Sequence, residues 1–468
     1  MAKPTLSRFD RLVLLTAAAL VTAIALTALM GDRVGVRLQR VAPLGENAGH
    51  STSPILITFS EPMDRPTVES RLRTDPAVEG AFSWSGQTIT LKPSRAFTPG
   101  SSVTVILEKG ARAEAGREVL SEYRFGFTVA PLRVAYLFPA DGIPQNIWIA
   151  DPMQPESARQ ITDSPTGIFD FSVSPDGAQI AFSEMNTLEN TYDIKLLTLA
   201  TGELRQLTNC IDASCTNPVW NPNGRQIAYE RVEYNTGMDN VGQSPTRIWL
   251  IDLETSPATT RPLLNETQIL GYSPQWSADG RRIAFYDRGS IATLVYDLSD
   301  GRILAVPNSS GAPGALSPDG TRLAYAELLV LEGGGSRSIL HLVDLETGSD
   351  QEFTIGDDLV SDQRAQWSPD GSMLAVARQN AAAIRGTQIV LIDVESGGTR
   401  QFTDDPRYAN AFFWYDPTGA QLVVQRFPEL GEDMQPDPLA RPQIWTFDLA
   451  TGGGVMVANN GFLPRWIP

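Results

Sequence analysis

The sequence predicts an all-β chain in which a closed ring of seven four-stranded units follows a small β-sandwich and one apolar helix. Three observations carry this reading. A turn phrase ending in glycine recurs at Ser174, Asn221, Ser277, Ser317, Ser368 and Asp416, 40 to 56 residues apart. The two ends of the repeat region are incomplete in complementary ways. An uncharged apolar run near the start contrasts with everything after it.

The phrase is clearest as Ser-Pro-Asp-Gly at Ser174–Gly177, Ser317–Gly320 and Ser368–Gly371. Proline pre-sets φ at the second turn position, aspartate bonds nearby backbone, and glycine takes the positive φ that reverses the chain. Each copy is followed by an apolar run such as Ile180-Ala181-Phe182 or Leu374-Ala375-Val376, so the phrase reads as a hairpin. Six hairpins at such spacing indicate repeats that bury their faces against their neighbours. Each full repeat has four strands. The first ends in a Trp-containing run (Pro218-Val219-Trp220, Pro274-Gln275-Trp276, Ala365-Gln366-Trp367) and the second follows the turn. The third ends in a turn like Asp344-Leu345-Glu346-Thr347-Gly348, and the short fourth reads Arg205-Gln206-Leu207-Thr208 or Arg400-Gln401-Phe402-Thr403.

Arg133–Thr162 supplies a second, third and fourth strand with no first, while Phe462–Trp466 is a first strand with nothing after it. Joined, they complete a seventh unit and leave no open sheet edge. The residues quoted resemble the TolB-type and WD-repeat-like bacterial β-propellers, whose repeat reads P-x-W-S-P-D-G-x-x-I-A-F, then D-x-x-T-G, then R-x-L-T. The resemblance covers roughly residues 132–468 and implies a β-propeller. TolB itself has six blades, so a count of seven departs from that member and its particular partner does not carry over.

Ahead of the ring, Lys3, Arg8 and Arg11 precede an uncharged run from Leu12 to Met30. As a helix that run spans about 28 Å, the thickness of a bilayer's hydrocarbon core. The only tidy small-x-small site, Ala23-Ile24-Ala25, lies inside the run, which favours an uncleaved anchor over a signal peptide. The expected division is a cytoplasmic tail over 1–11, a transmembrane anchor over 12–30, a linker over 31–40, a sandwich over 41–130 and the propeller over 131–468. Basic residues flank the run on both sides, but a long C-terminal body translocates largely regardless of charge, so the body is expected outside the cytoplasm.

Over 41–130 short alternating strands follow one another: Ile55–Phe59, Phe82–Trp84, Thr88–Pro93, Val103–Leu107 and Phe125–Thr128. Ile57-Thr58-Phe59-Ser60-Glu61-Pro62-Met63-Asp64 matches the opening I-x-F-S-x-P-M-D of bacterial Ig-like domains. Phe97-Thr98-Pro99-Gly100 with Val103-Thr104-Val105 matches a later signature, without its tyrosine. The resemblance implies an Ig-like spacer or adhesion module in a cell-surface protein.

Net charge is −17, which argues against nucleic acid and anionic lipid surfaces. With only His50, His341, Cys210 and Cys215, a His/Cys metal cluster is nearly excluded, and the spacing of the two cysteines permits a small-loop disulfide outside the cytoplasm. No G-x-S-x-G elbow occurs, and neither histidine offers a triad partner for a serine. The aspartates recur once per repeat in turns that demand them, and the Trp residues read as packing between units. No catalytic residue, metal or cofactor is expected.

Within each unit the connections 1–2 and 3–4 emerge on one face, and 2–3 and 4–1 on the other. The long segments fall almost wholly between strands 2 and 3, at 184–192, 232–246, 329–338, 379–387 and 427–441, and variable loops on a rigid ring are where function gathers. Glu233, Tyr234, Asp239, Glu332, Arg337, Arg385, Glu432 and Asp433 are the candidate partner contacts. The expected function is a monomeric, membrane-anchored extracytoplasmic scaffold binding an envelope or cell-surface protein, a basic one by charge. The alternative is a carbohydrate-binding or carbohydrate-processing cell-surface propeller, which calls for clustered carboxylates around the central channel.

Overall fold

The computed structural model describes residues 7–29, 35–187, 190–235, 242–266, 268–331, 334–354, 356, 359–380, 384–431 and 433–468. Two compact units result: Met1–Gly45 with Pro54–Ser94 and Ser102–Phe127, and Glu46–Ser53 with Arg95–Ser101 and Thr128–Pro468. The chain passes between these units several times, where the expected division had a single cut at 130/131. The reason is visible inside the second unit, where His50 Nδ1 lies 2.8 Å from the Pro468 carbonyl oxygen and Thr52 Oγ1 donates to the Pro175 carbonyl.

A helix forms over Arg8–Leu29. Its apolar side chains stay uncovered, with Leu12, Leu15, Leu20 and Ile24 all more than 60% exposed. Among the described residues no helix is long and apolar enough to cross a membrane. The expected span over 12–30 is thus corrected to a helix; Met30 lies outside the described residues.

The sandwich has two four-stranded sheets. One orders Leu38–Ala42, Ile55–Phe59, Thr88–Pro93 and Gly80–Ser85; the other orders Gly45–Gly49, Tyr123–Val129, Ser102–Leu107 and Leu72–Asp75. Alternation puts Ile55, Ile57 and Phe59 inward, all fully buried, as a period of two requires. The opening signature is structural. Met63 is buried and bridges to Ala113, and Glu61, 7% exposed, pairs with Arg117 at 2.9 Å.

Among the described residues the second unit holds seven antiparallel sheets of four strands in repeat order, one with a short extra strand, Gly242–Gln243. The sheet of Arg133–Phe138, Asn146–Asp151 and Gln154–Gln160 is completed by Phe462–Ile467, with Trp466 opposite Val134. The expected pairing of the two incomplete ends is therefore present. The turns close as the phrase requires: Ser368 Oγ donates to Asp370 Oδ1 at 2.6 Å, the Met373 N–H donates to Ser368 Oγ, and Gly371 has φ 73°. These bonds hold the Asp319 and Asp370 carboxyls below the ordinary value against the opposing effect of their burial.

The fourth strands lie at Leu204–Gln206 and Thr399–Gln401, one residue earlier than expected and ending before the threonine. That threonine has its own task. Oγ1 of Thr162, Thr208 and Thr403 accepts the third-strand N–H of Ile147, Ile194 and Ile389 at 2.8 to 2.9 Å, ending the ladder without orphaning a buried donor. Trp276, Trp367 and Trp466 donate their indole N–H to the carbonyls of Val219, Ala315 and Trp414 in the preceding sheet. Each unit is thereby keyed to its neighbour.

Among the described residues, the segments expected as irregular loops are in part β-ribbon. Strands 2 and 3 continue as Gln226–Asn235, Arg322–Val330 with Ser336–Asp344, and Met373–Asn380 with Ile384–Asp393. Their ladders run on because the chain keeps alternating past the buried sheet, as in Leu329 opposite Arg337 and Val330 opposite Ser336.

Cys210 and Cys215 form a disulfide, but only Cys210 lies in the connection; Cys215 sits inside the strand Ala213–Trp220, and both are buried. The bond ties that connection to the first strand. From the chain entropy of so short a loop, Cys210→Ser with Cys215→Ser is expected to cost about 2 kcal/mol. Chemical unfolding of the double variant beside the reduced and oxidised parent checks this, and an unchanged midpoint would reject it.

Candidate functional site

The first strands of six of the seven sheets line a central channel with a cavity of about 660 Å³, and the remaining sheet contributes residues between Ser310 and Gly314 and its second-strand residues Ala324, Tyr325 and Ala326. Most of these strands are bulged at the same level, between Thr216 and Val219, Tyr272 and Gln275, Asp362 and Arg364, Asn410 and Phe412, and Phe462 and Arg465. Asn217, Ser273 and Leu463 carry the irregularity at φ near 50°, in the left-handed region that ordinary strand residues avoid. A bulge re-aims the side chains that follow it. Arg364, Phe412 and Arg465 each stand at such a point and line the channel.

The site is built around Trp414. Its strand touches the first strands on both sides, Val360–Trp367 and Phe462–Ile467. The Arg364 guanidinium carbon is 5.2 Å from the Trp414 ring centre and 5.1 Å from that of Phe412; the Arg465 carbon is 3.9 Å from Trp414. Stacking supplies the guanidinium faces with a partner, while the N–H donors lie at the edges. Arg465 Nη1 donates to the Pro464 carbonyl, and the buried Arg364 Nε has no partner among the described residues. Both side chains are deep in the protein yet open in part to the channel lumen. Burial lowers the Arg364 pKa to about 10; burial, then the repulsion of Arg364, lowers that of Arg465 to about 9.

The carboxylate that acts on Arg465 is Asp170, on the first strand Ile168–Val173. It accepts from Ser183 Oγ and from the Asn217 N–H at 2.7 Å. Burial pushes its pKa up to about 6, opposed by those bonds and by Arg465. Glu230 is committed elsewhere, accepting from Asn217 Nδ2 and the Ser273 N–H, both at 2.7 Å. Asp362 is fully buried and doubly bonded by Arg378 at 2.7 and 2.8 Å, a closed pair with Thr354 as third donor.

Among the described residues no group of three or more His, Cys, Asp and Glu could hold a metal ion. His341 Nδ1 sits 2.9 Å from Asp350 Oδ1, with Tyr325 donating to the other oxygen, so that histidine is engaged within its sheet.

Of the candidate contacts, Glu233 is exposed and pairs with Arg231 at 3.3 Å, and the Tyr234 hydroxyl lies 2.8 Å from Ser214 Oγ. Arg337 is half-buried, and Asp433 is exposed with Oδ1 accepting the Gln435 N–H. Asp239, Glu332 and Glu432 lie outside the described residues, as does the Arg385 side chain. The sequence reading missed Arg364, Trp414 and Arg465. Their one signal was position: the residue before the strand-ending aromatic is Val219, Gln275 and Gln366 elsewhere, but Trp414 and Arg465 here.

Residues 32–129 match the bacterial Ig-like domain family. No curated protein matches the chain. Among solved structures, TolB from Acinetobacter baumannii is similar at 15% identity over 80% of each chain, with a TM-score of 0.41. An oligogalacturonate lyase from Vibrio parahaemolyticus is similar at 12% identity over 77% of this chain and 87% of its own, TM-score 0.47. A puromycin-hydrolyzing peptidase of Mycobacterium tuberculosis is similar at 14% over 86% of this chain and 56% of its own, TM-score 0.49. Likeness at this level carries no functional information, and the propeller reading rests on the sheets and their closure.

Proposed function

We propose that the chain is a non-enzymatic extracytoplasmic scaffold. In this reading the Ig-like domain is a spacer, and the seven sheets are the blades of a propeller that binds an envelope or cell-surface protein. One observation supports it most. The exposed large apolar side chains of the ring gather where strands 2 end and strands 1 begin: Ile143 is 84% exposed, Val330 73% and Leu439 79%, with Ile211, Ile291 and Leu359 each near half. The opposite face is built from Ser-Asp-Gly turns whose polar groups are satisfied internally, and Met153 is the large apolar side chain exposed at a turn there. Apolar groups collected on one face of a rigid scaffold mark a protein interface. The carbohydrate reading calls for clustered carboxylates around the channel, and the wall built on Trp414 carries Arg364 and Arg465 instead.

The test is capture from envelope extract by the full chain, compared with Val330→Lys plus Leu439→Lys and with Met153→Lys. Capture of a specific protein is expected to fall more than about tenfold in the first variant and to persist in the second. Equal loss in both, or in neither, would reject this face.

A further inference from the structure

We propose that the central channel is a binding site for an organic carboxylate, held between the guanidinium groups of Arg364 and Arg465 against Trp414. This goes beyond the scaffold reading and does not depend on it. Two arginines share one aromatic floor in a cavity of about 660 Å³. Arg364 Nε, a buried atom, has no partner among the described residues, and Arg465 spends one donor on its own neighbour's carbonyl. Like charges brought together away from bulk water are costly unless something compensates them. The protein compensates them only in part, because Asp170 already serves Ser183 and Asn217, and Glu230 serves Asn217 and Ser273.

The chemistry of the missing group follows from the donors. A guanidinium stacked flat on an indole presents its N–H groups edge-on, in the fork that matches two carboxylate oxygens. With Asp170 opposing Arg465, the uncompensated charge suits a carboxylate rather than a phosphate dianion. The remaining wall offers neutral hydrogen-bonding groups, Asn217, Ser273, Gln363 and Gln366 among them, which suits a polar molecule behind the acid. Two sources share this chemistry: a free polycarboxylate, and an acidic side chain or chain terminus of a protein reaching into the channel.

The experiment is calorimetric titration and thermal unfolding of the full chain with citrate, glutarate and phosphate at matched ionic strength. A parallel arm uses a synthetic acidic peptide with a free C-terminus and its amidated form. Saturable binding of a carboxylate probe is expected, raising the unfolding midpoint of the parent. Arg364→Gln and Arg465→Gln are each expected to weaken it more than about tenfold, and Arg205→Gln, on an exposed outer strand, to leave it unchanged. Tight citrate or glutarate binding assigns a free acid; binding confined to the peptide assigns a protein carboxylate. The proposal is overturned if neither class of probe binds, if phosphate binds more tightly, or if Arg205→Gln weakens binding as much as Arg364→Gln. Because both glutamine variants remove a repelling cation, each is expected to unfold no earlier than the parent without ligand, which separates lost binding from lost fold.

Discussion

Replacing Trp466 with alanine is expected to cost about 3–5 kcal/mol, the range for emptying a buried tryptophan site. The side chain is 6% exposed, packs with Val134, Tyr136, Val423, Ile444 and Val457, and donates its indole N–H to the Trp414 carbonyl at 3.1 Å. The cost falls at the one joint of the ring that no covalent connection crosses, the pairing of Phe462–Ile467 with Arg133–Phe138. Trp367→Ala removes a similar indole bond to the preceding sheet, but its own sheet has strands that follow one another in the chain, so it opens a cavity without freeing an edge. Trp466→Ala should therefore be the less stable of the two and the one that aggregates, through the exposed strand Arg133–Phe138. Urea unfolding with light scattering checks both. A loss under about 1 kcal/mol for Trp466→Ala would show that closure does not hold the ring.

The second large effect is electrostatic. Burial raises the Asp170 pKa to about 6, above the ordinary 3.8, so the fold favours the protonated acid. The sign follows: this stabilisation is full below the unfolded value near pH 4 and is lost as pH rises through 6. Two units correspond to about 3 kcal/mol. The turn aspartates Asp344, Asp393 and Asp448 act in the opposite sense, because backbone and hydroxyl donors lower their pKa and their stabilisation is lost on acidification. The measurement is therefore a difference. Unfolding free energies at pH 4.5 and 7.5 are compared for the parent and Asp170→Asn, and the variant is expected to gain on the parent by about 2 kcal/mol across that interval, the share of the linkage that lies above pH 4.5. Parallel profiles would mean that Asp170 is ionised at its ordinary pH.

What could be read from the sequence was what local chemistry determines. Ser-Pro-Asp-Gly and Asp-x-x-Thr-Gly fix turns through bonds within a few residues, as Asp344 shows by accepting from both the N–H and the hydroxyl of Thr347. Strand order followed from those turns, and with it the pairing of the two ends. The threonine after Arg-x-Leu was read as the last residue of a strand, because its bond to a third-strand N–H depends on how the chain leaves the sheet. The ribbons were missed because alternation without burial looks like loop composition. The arginine pair was invisible for another reason. Arg364 and Arg465 lie on separate repeats, and only the stacking of neighbouring first strands brings both to Trp414. The apolar run over 12–30 was read by length and charge alone, and the structure supplies a helix over Arg8–Leu29.

The shared sheet also sets an order of events during synthesis. Strands Arg133–Phe138, Asn146–Asp151 and Gln154–Gln160 leave the ribosome well before the strand that caps them, Phe462–Ile467, with all the other sheets of the ring made in between. Throughout translation the nascent ring presents the edge of Arg133–Phe138, and any product released before Phe462 can never cover it. A ring whose first sheet is finished by so late a strand thus carries its own check: only a product that includes Phe462–Ile467 loses the feature by which chaperones and proteases recognise unfinished protein.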